Sequence, residues 1–594
     1  MRFQVVRWLG VLAVAGICGV STAVAQPAIP AGLEELALRL AAEPGGDEPD
    51  PNSVEVGPDG AAPLPYEEDH PYLLLGETLQ RLACASGARE AVDCIDGVPA
   101  EAQSSFVRSH EAAQKGFAAY SAMEPDALRG GRMLAAAARR LPKRGDAAVL
   151  AVAAELRGEL AEAVRQIALR ALDRATVAGV DGRRLARATE QMNRGDALVL
   201  AGEPAKAAGW YQKPIKLKNA IVFDMDVFEQ GIRSRLDGQT IGYTYALNRD
   251  GQLAREDGVG SSRLPGESNP TLQDPRKRMQ IASVTKNITA VALLQLLEAN
   301  DIAVNESISP YLPPDWTLGP GVTSLSFGDL LRHESGLDNN SGASGSNFGT
   351  TLVYSGLQST IAGGQTAMKT FIYQNVNYAL FRVIIPTLFW GGNPADVVPD
   401  DGILPEDNPS LTSLLYEWYV RNNVLEPSEV VGLDDNNEWA SLSRNAATET
   451  LSYFFPNASG NVSGASWGNW STIAGGGGWY LSAYDLAAFL AHVRYDDAIL
   501  SPASRSLMDT QFFGYNDPAV SNFFASFALG KFGVYRGHGG DLGNGGTPTK
   551  GMDSCIMNFP QGVQAVVLIN SVGGSYSYQC DVLQEAYDDA FVKK

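Results

Sequence analysis

Ser283 and Lys286 stand three residues apart in the run Met279-Gln280-Ile281-Ala282-Ser283-Val284-Thr285-Lys286. Three residues is the spacing that brings two side chains onto one face of a helix, with Cβ atoms roughly 5–6 Å apart. A hydroxyl and an amine held that way can act as nucleophile and proton acceptor, provided burial helps the amine lose its proton. Taken alone, the same pattern also describes an N-cap serine beside a solvated lysine. Three further stretches carry chemistry-bearing residues. Tyr373-Gln374-Asn375 offers a phenol and an amide, and Gly537-His538-Gly539-Gly540-Asp541 offers an imidazole on a glycine-rich strand. His333, in Leu330-Leu331-Arg332-His333-Glu334-Ser335-Gly336-Leu337, has no orienting partner nearby in sequence and reads as a structural histidine.

Elements must position these residues. The run Ile288, Val291, Ala292, Leu293, Leu294, Leu296, Leu297 is apolar all round, which predicts a buried helix starting just after Ser283. At that start, free backbone N–H groups and the positive dipole end favour developing negative charge. Upstream, 242–247 and 253–258 read as strands joined by a hairpin at Asn248-Arg249-Asp250-Gly251. Downstream, 524–535, 551–558 and 564–570 read as strands, and a helix over 580–592 closes the chain. The stretch 326–337 predicts an apolar helix ending in a glycine cap, and Gly475 to Leu486 a glycine turn into another helix. Strands at both ends with helices between predict an α+β fold: one antiparallel sheet flanked by helices, with a helical lobe inserted. Within it, 386–472 is an insertion rich in Asn, Ser, Gly and Trp, with one helix over 411–420. Its tryptophans argue against disorder and for an active-site lid.

In order and spacing, these stretches resemble the β-lactamase-related serine hydrolases. That family holds class C β-lactamases, D-Ala-D-Ala carboxypeptidases, D-aminopeptidases and certain esterases. Ser283-x-x-Lys286 resembles its nucleophile motif, Tyr373-x-Asn375 its second motif and His538-Gly539-Gly540 its third. The resemblance covers 225–594 apart from the insertion. It implies that Ser283 forms an acyl-enzyme, with Lys286 and Tyr373 together taking its proton. A phenol of ordinary pKa ~10 serves as a base only beside a cation, which Lys286 provides. The resemblance further implies that Asn375 binds substrate or orients Lys286. It places the oxyanion between the N–H groups of Ser283 and Asp541, with no metal or cofactor needed. Where relatives carry Lys-Thr-Gly to grip a substrate carboxylate, this chain has a histidine, mostly neutral at pH 7, and a glycine without a hydroxyl. That favours an esterase or D-amino-acid peptidase over an efficient β-lactamase, and an insertion covering the cleft would favour an apolar acyl group. The alternative is a helical scaffold with a catalytically idle penicillin-binding-like domain.

The rest of the 594 residues bounds this reading. A chain this long is expected to hold several domains. Arg2 and Arg7, an apolar stretch and Ala23-Val24-Ala25 predict a signal peptide over 1–25, hence export to the periplasm or outside the cell. No membrane span is then expected after cleavage. A leader over 26–74 is rich in Pro, Gly, Asp and Glu and predicts irregular chain with one short helix near 33–42. From 75 to 217 the pattern is helical and alanine-rich, predicting helical hairpins over 133–141, 147–172 and 185–200. Gly195 to Tyr211 resembles a degenerate tetratricopeptide unit, without a clean repeat. This region is expected to be either a partner-binding array or a cap on the hydrolytic domain. The net charge of −21 argues against nucleic acid and anionic membranes as partners and leaves a small molecule or peptide as substrate. Beyond the signal peptide, Cys84, Cys94, Cys555 and Cys580 predict two disulfides, with locality favouring Cys84–Cys94 and Cys555–Cys580 among three possible pairings.

Overall fold

The computed structural model of the protein describes residues 70–88, 98, 100–123, 125–337, 352–365, 371–390, 411–430, 440–444, 447–457, 463–544 and 548–594. The signal peptide, nearly all of the leader, Cys94, Trp439 and much of the insertion lie outside them.

Five strands make the body of the sheet. They are β1 (Gly242–Arg249), β2 (Gln252–Arg263), β3 (Arg536–Gly543), β4 (Gly551–Phe559) and β5 (Val563–Ile569), in the order β3-β4-β5-β1-β2, all antiparallel. The two ends of the segment meet where β5 pairs with β1, from Val563 opposite Arg249 to Ile569 opposite Tyr243. The sequence expectation of one sheet built from both termini is met there. A short parallel pair, Ser571–Val572 on Tyr453–Phe454, makes the sheet mixed.

Both faces of the sheet are buried, and the two-residue period of each strand divides its side chains between two cores. Val566 and Leu568 of β5 and Met552 and Ile556 of β4 face the helical lobe. Ala565, Val567 and Ile569 of β5, with Cys555, Met557 and Phe559 of β4, face the opposite side. That side is covered by the helices Met225–Leu236 and Gln579–Asp589. Cys555 and Cys580 form a disulfide, which ties β4 to the second of these helices. Cys84 is also disulfide-bonded.

Before the sheet comes an all-helical region, with helices Pro71–Ser86, Val107–Ser121, Ala127–Arg140, Ala147–Val177, Gly182–Leu200 and Pro204–Tyr211. The helix from Pro71 already replaces the irregular chain expected up to residue 74. Small residues let these helices approach closely: a Cβ on Gly130 would lie 3.1 Å from the Gly116 carbonyl oxygen, and one on Gly195 would collide with the Tyr211 ring. The region packs on the sheet domain. Arg536 Nη2 donates to Ser121 O at 2.7 Å, and the Arg174 guanidinium lies 4.1 Å over the Phe532 ring. No helix among the described residues is long and apolar enough to cross a membrane.

Three expectations are corrected. The segment from Phe524 is not a strand: Asn522–Ala528 is a helix, followed by the two-residue strands Leu529–Gly530 and Gly533–Val534. The phenylalanine run favours a strand by propensity, but helical spacing lets Phe523 and Phe527 both pack on Tyr578 while Phe524 packs on Phe371. The helix at Phe327–Leu331 ends at Arg332, before the glycine, and His333 rather than Gly336 makes the first left-handed step, at φ 56°. Among its described side chains, the tryptophans of the insertion do not line a cleft. Trp418, Trp467 and Trp470 are buried in the core of the helical lobe, where Trp467 Nε1 donates to Ser452 Oγ and Trp470 Nε1 to Trp467 O.

Candidate active site

Ser283 lies in a single 3₁₀ turn, Ala282–Val284, that opens the helix Thr285–Ala299. The helix is buried on all sides as its sequence predicts, so it is a rigid platform in the core. The turn is held in an uncommon conformation. Ala282 has φ 46°, a left-handed backbone that a non-glycine residue rarely adopts. Gln280 sustains it, its Oε1 accepting from the N–H groups of Ile281 and Ala282 at 3.0 and 3.1 Å. Ser554 of β4 donates to Ile281 O at 2.8 Å and so ties the turn to the sheet. A backbone of this kind persists only where surroundings over-determine it.

Three of the predicted residues meet here. Lys286 Nζ donates to Ser283 Oγ at 2.6 Å, and Tyr373 Oη donates to the same oxygen at 2.9 Å. Lys286 Nζ also donates to Gly476 O at 2.6 Å and lies 4.9 Å from the centre of the Tyr373 ring. Ser283 and Lys286 are buried. A serine oxygen touched by an amine and a phenol that also touch each other's field can lose its proton to the pair without a histidine. Asn375 is fully buried against Gly476, where an added Cβ would sit 3.2 Å from Asn375 O. It thus stands beside the residue whose carbonyl receives Lys286.

The strand β3 runs directly past Ser283. A Cβ on Gly540 would lie 2.8 Å from Ser283 N, so only glycine lets β3 come this close. β3 pairs with β4, opposing Gly539 to Cys555 and Asp541 to Asp553. Gly539 N donates outward to Asn516 Oδ1 at 3.3 Å, and Asn516 N donates to Gly537 O at 2.8 Å. Because backbone groups two residues apart in an antiparallel strand point the same way, the Asp541 N–H faces that same outer edge, two residues beyond Asn516's contact. His538 is buried, with Nδ1 2.6 Å from Gly539 O. Burial, aided by the charge of Lys286, pushes its pKa down to about 3, so the ring is neutral at pH 7.

The family model described as Beta-lactamase matches residues 226–579. The chain belongs to the β-lactamase family. No curated protein sequence matches it. Among solved structures it is similar to the octameric penicillin-binding protein homologue from Pyrococcus abyssi, at 18% identity and TM-score 0.43, over 61% of this chain and 76% of that one. It is also similar to the D-amino acid amidase from Ochrobactrum anthropi SV3, at 18% identity and TM-score 0.40, over 61% and 97% of the two chains. A third is the β-lactamase/D-alanine carboxypeptidase from Yersinia pestis, at 14% identity and TM-score 0.42, over 61% and 97%.

Within this β-lactamase-family domain, several site residues escaped the sequence reading. Gly476, Gln280, Ser554 and Asn516 act through backbone or amide atoms, which leave no compositional signal. His333 was read as structural, and its surroundings are. Its Nδ1 lies 3.1 Å from Gln374 O, 3.2 Å from Gln374 N and 3.1 Å from Asn377 Nδ2, and its carbonyl accepts from Ile372 N at 2.9 Å. Its ring stacks on Tyr373 with centroids 4.5 Å apart. Burial holds the imidazole well below its ordinary pKa, with Lys286 and His538 acting in the same direction. In one neutral tautomer Nδ1 donates to Gln374 O and in the other it accepts from an N–H, so either way the ring clamps the segment that presents the phenol.

Proposed function

We propose that the protein is a serine hydrolase that cleaves an ester or amide bond through an acyl-enzyme on Ser283. The observation that carries this reading is the convergence of Lys286 Nζ and Tyr373 Oη on Ser283 Oγ, at 2.6 and 2.9 Å. Ser283 Oγ attacks the substrate carbonyl as its proton passes to the Lys286–Tyr373 pair. The carbonyl oxygen becomes an anion between the N–H groups of Ser283 and Asp541. The pair then returns the proton to the leaving alkoxide or amine as the bond to the acyl carbon breaks. Water, deprotonated by the same pair, releases the acid and restores the serine.

The substrate is a small molecule or peptide without a carboxylate to be gripped at the third motif, because the His538 ring is neutral. This favours an esterase or D-amino-acid peptidase over an efficient β-lactamase. We read the helical region as a cap on the hydrolytic domain rather than a tetratricopeptide-like partner-binding array, since Arg536, at the start of β3, is bonded to Ser121 of that region. Export to the periplasm or beyond accords with the Cys555–Cys580 disulfide. A fluorescent phosphonate tests the assignment on the purified mature protein, beside a panel of p-nitrophenyl esters, D-amino-acid amides and nitrocefin. The expected result is stoichiometric labelling that vanishes in Ser283→Ala. Folded protein that no acylating probe labels would instead support an idle, scaffolding domain.

A further inference from the structure

Gly539 has no side chain, and the space where one would begin is occupied. A Cβ built there would collide with the hydroxyl of Tyr578. Tyr578 belongs to a distant part of the chain, the N-cap of the helix Gln579–Asp589. Its placement is fixed from two sides. Cys580, two residues on, is disulfide-bonded to Cys555, and Cys555 is the β4 residue that opposes Gly539 in the ladder. The Tyr578 ring packs edge-on against Phe523, with centroids 4.7 Å apart, and against Phe527 at 5.5 Å. The side chain is half-buried, and its hydroxyl has no hydrogen-bond partner among the described residues. A hydroxyl held rigidly on a half-buried residue, with no partner among the described residues, is a ready contact for a bound molecule.

What would reach it follows from the reaction geometry. An acyl carbon on Ser283 Oγ, with its oxygen at the Asp541 N–H, brings the substrate against the outer edge of β3, two residues from Gly539 and on the same edge. Burial above all, and then the charge of Asp541, Asp553, Tyr373 and Asp581 around it, hold the Tyr578 phenol well above its ordinary pKa. It is therefore an O–H donor throughout the neutral range, in surroundings that repel an anion. We propose, resting on the Ser283 acyl-enzyme reading, that the Tyr578 hydroxyl is a specificity-determining contact that donates to a neutral acceptor, such as an amide carbonyl, flanking the scissile bond of the substrate. In effect the C-terminal helix supplies the side chain that β3 lacks at Gly539.

The test compares wild type with Tyr578→Phe, which keeps the ring packing and removes only the hydroxyl. Substrates are p-nitrophenyl acetate and p-nitrophenyl esters of N-acylated amino acids, whose amide carbonyl supplies the acceptor. One neutral hydrogen bond corresponds to about a 3- to 10-fold change. The expected loss in kcat/KM is larger by that factor for the amide-bearing esters than for the acetate, and it enters through KM. A second variant pair puts the hydroxyl back by another route. Gly539→Ser in a Tyr578→Ala background is expected to recover part of the preference for amide-bearing esters that Tyr578→Ala alone loses. Equal losses on both substrate classes, no loss on either, or no recovery in the folded double variant would overturn the proposal. Phosphonate labelling of Ser283 separates the two ideas. If labelling persists while the preference does not move, the Tyr578 contact falls alone; if wild type is never labelled, the acyl-enzyme reading falls and takes the contact with it.

Discussion

Replacing Lys286 by methionine removes the amine while keeping most of the side-chain volume in a fully buried position. The interactions that disappear include the 2.6 Å hydrogen bonds to Ser283 Oγ and Gly476 O and the contact with the Tyr373 ring. On the catalytic side, a positioned proton acceptor contributes typically 10²–10⁴-fold, which is about 3–5 kcal/mol of barrier. Acylation by a p-nitrophenyl ester should fall by that factor, read as the burst rate in stopped flow. On the stability side the terms oppose each other. Leaving the buried Gly476 carbonyl without this donor costs about 1–3 kcal/mol. Burying a polar amine head also costs free energy, and the thioether of methionine removes that penalty. Unfolding free energy from chemical denaturation should therefore hold or rise while activity collapses, the pattern of a residue kept for chemistry. Two results would refute the reasoning: near-normal acylation, or a loss of activity accompanied by a fall in stability of more than about 3 kcal/mol, beyond what the orphaned carbonyl accounts for.

Two further outcomes follow from buried groups near the site. His333→Leu removes the Nδ1 contacts and the ring that hold the Tyr373 segment, and kcat should drop by about 10- to 100-fold with little change in KM, since small misplacements cost that much. His333→Gln, which keeps an acceptor, should recover part of the loss; equal activity in all three proteins would show that the clamp does not position the phenol. Glu449 is fully buried, and burial pushes its carboxyl up to about 7 against the pull of its polar neighbours. A raised folded-state pKa means that stability is highest below the ordinary value near 4.5 and is lost as pH rises to about 7, by roughly 3 kcal/mol for this group. Asp553 and Asp581, raised to about 6 and about 7, act in the same direction. Denaturation at pH 5 and pH 8 should show wild type weaker at pH 8 and Glu449→Gln with a smaller difference; an unchanged difference would contradict this account.

Much of the domain could be read from periodicity and spacing, because those features are local. The helix after Ser283 is apolar on every side, and the hairpin of β1 and β2 turns at Asp250-Gly251, so each declares itself within a dozen residues. Ser283 and Lys286 share one helical turn for the same reason. Tyr373 was legible only through resemblance, as it lies 90 residues from Ser283. Tertiary packing alone determined that its hydroxyl reaches the serine, through a histidine clamp and a helix end that sequence placed wrongly. It also decided that Trp418, Trp467 and Trp470 of the insertion fill the core, and that Phe523 and Phe527 take helical spacing to meet Tyr578. The pairing of Gly539 with Tyr578 is the extreme case. A missing side chain on one strand and a hydroxyl beyond the next two strands have no shared local pattern, and only the ladder register and the Cys555–Cys580 bond bring them together.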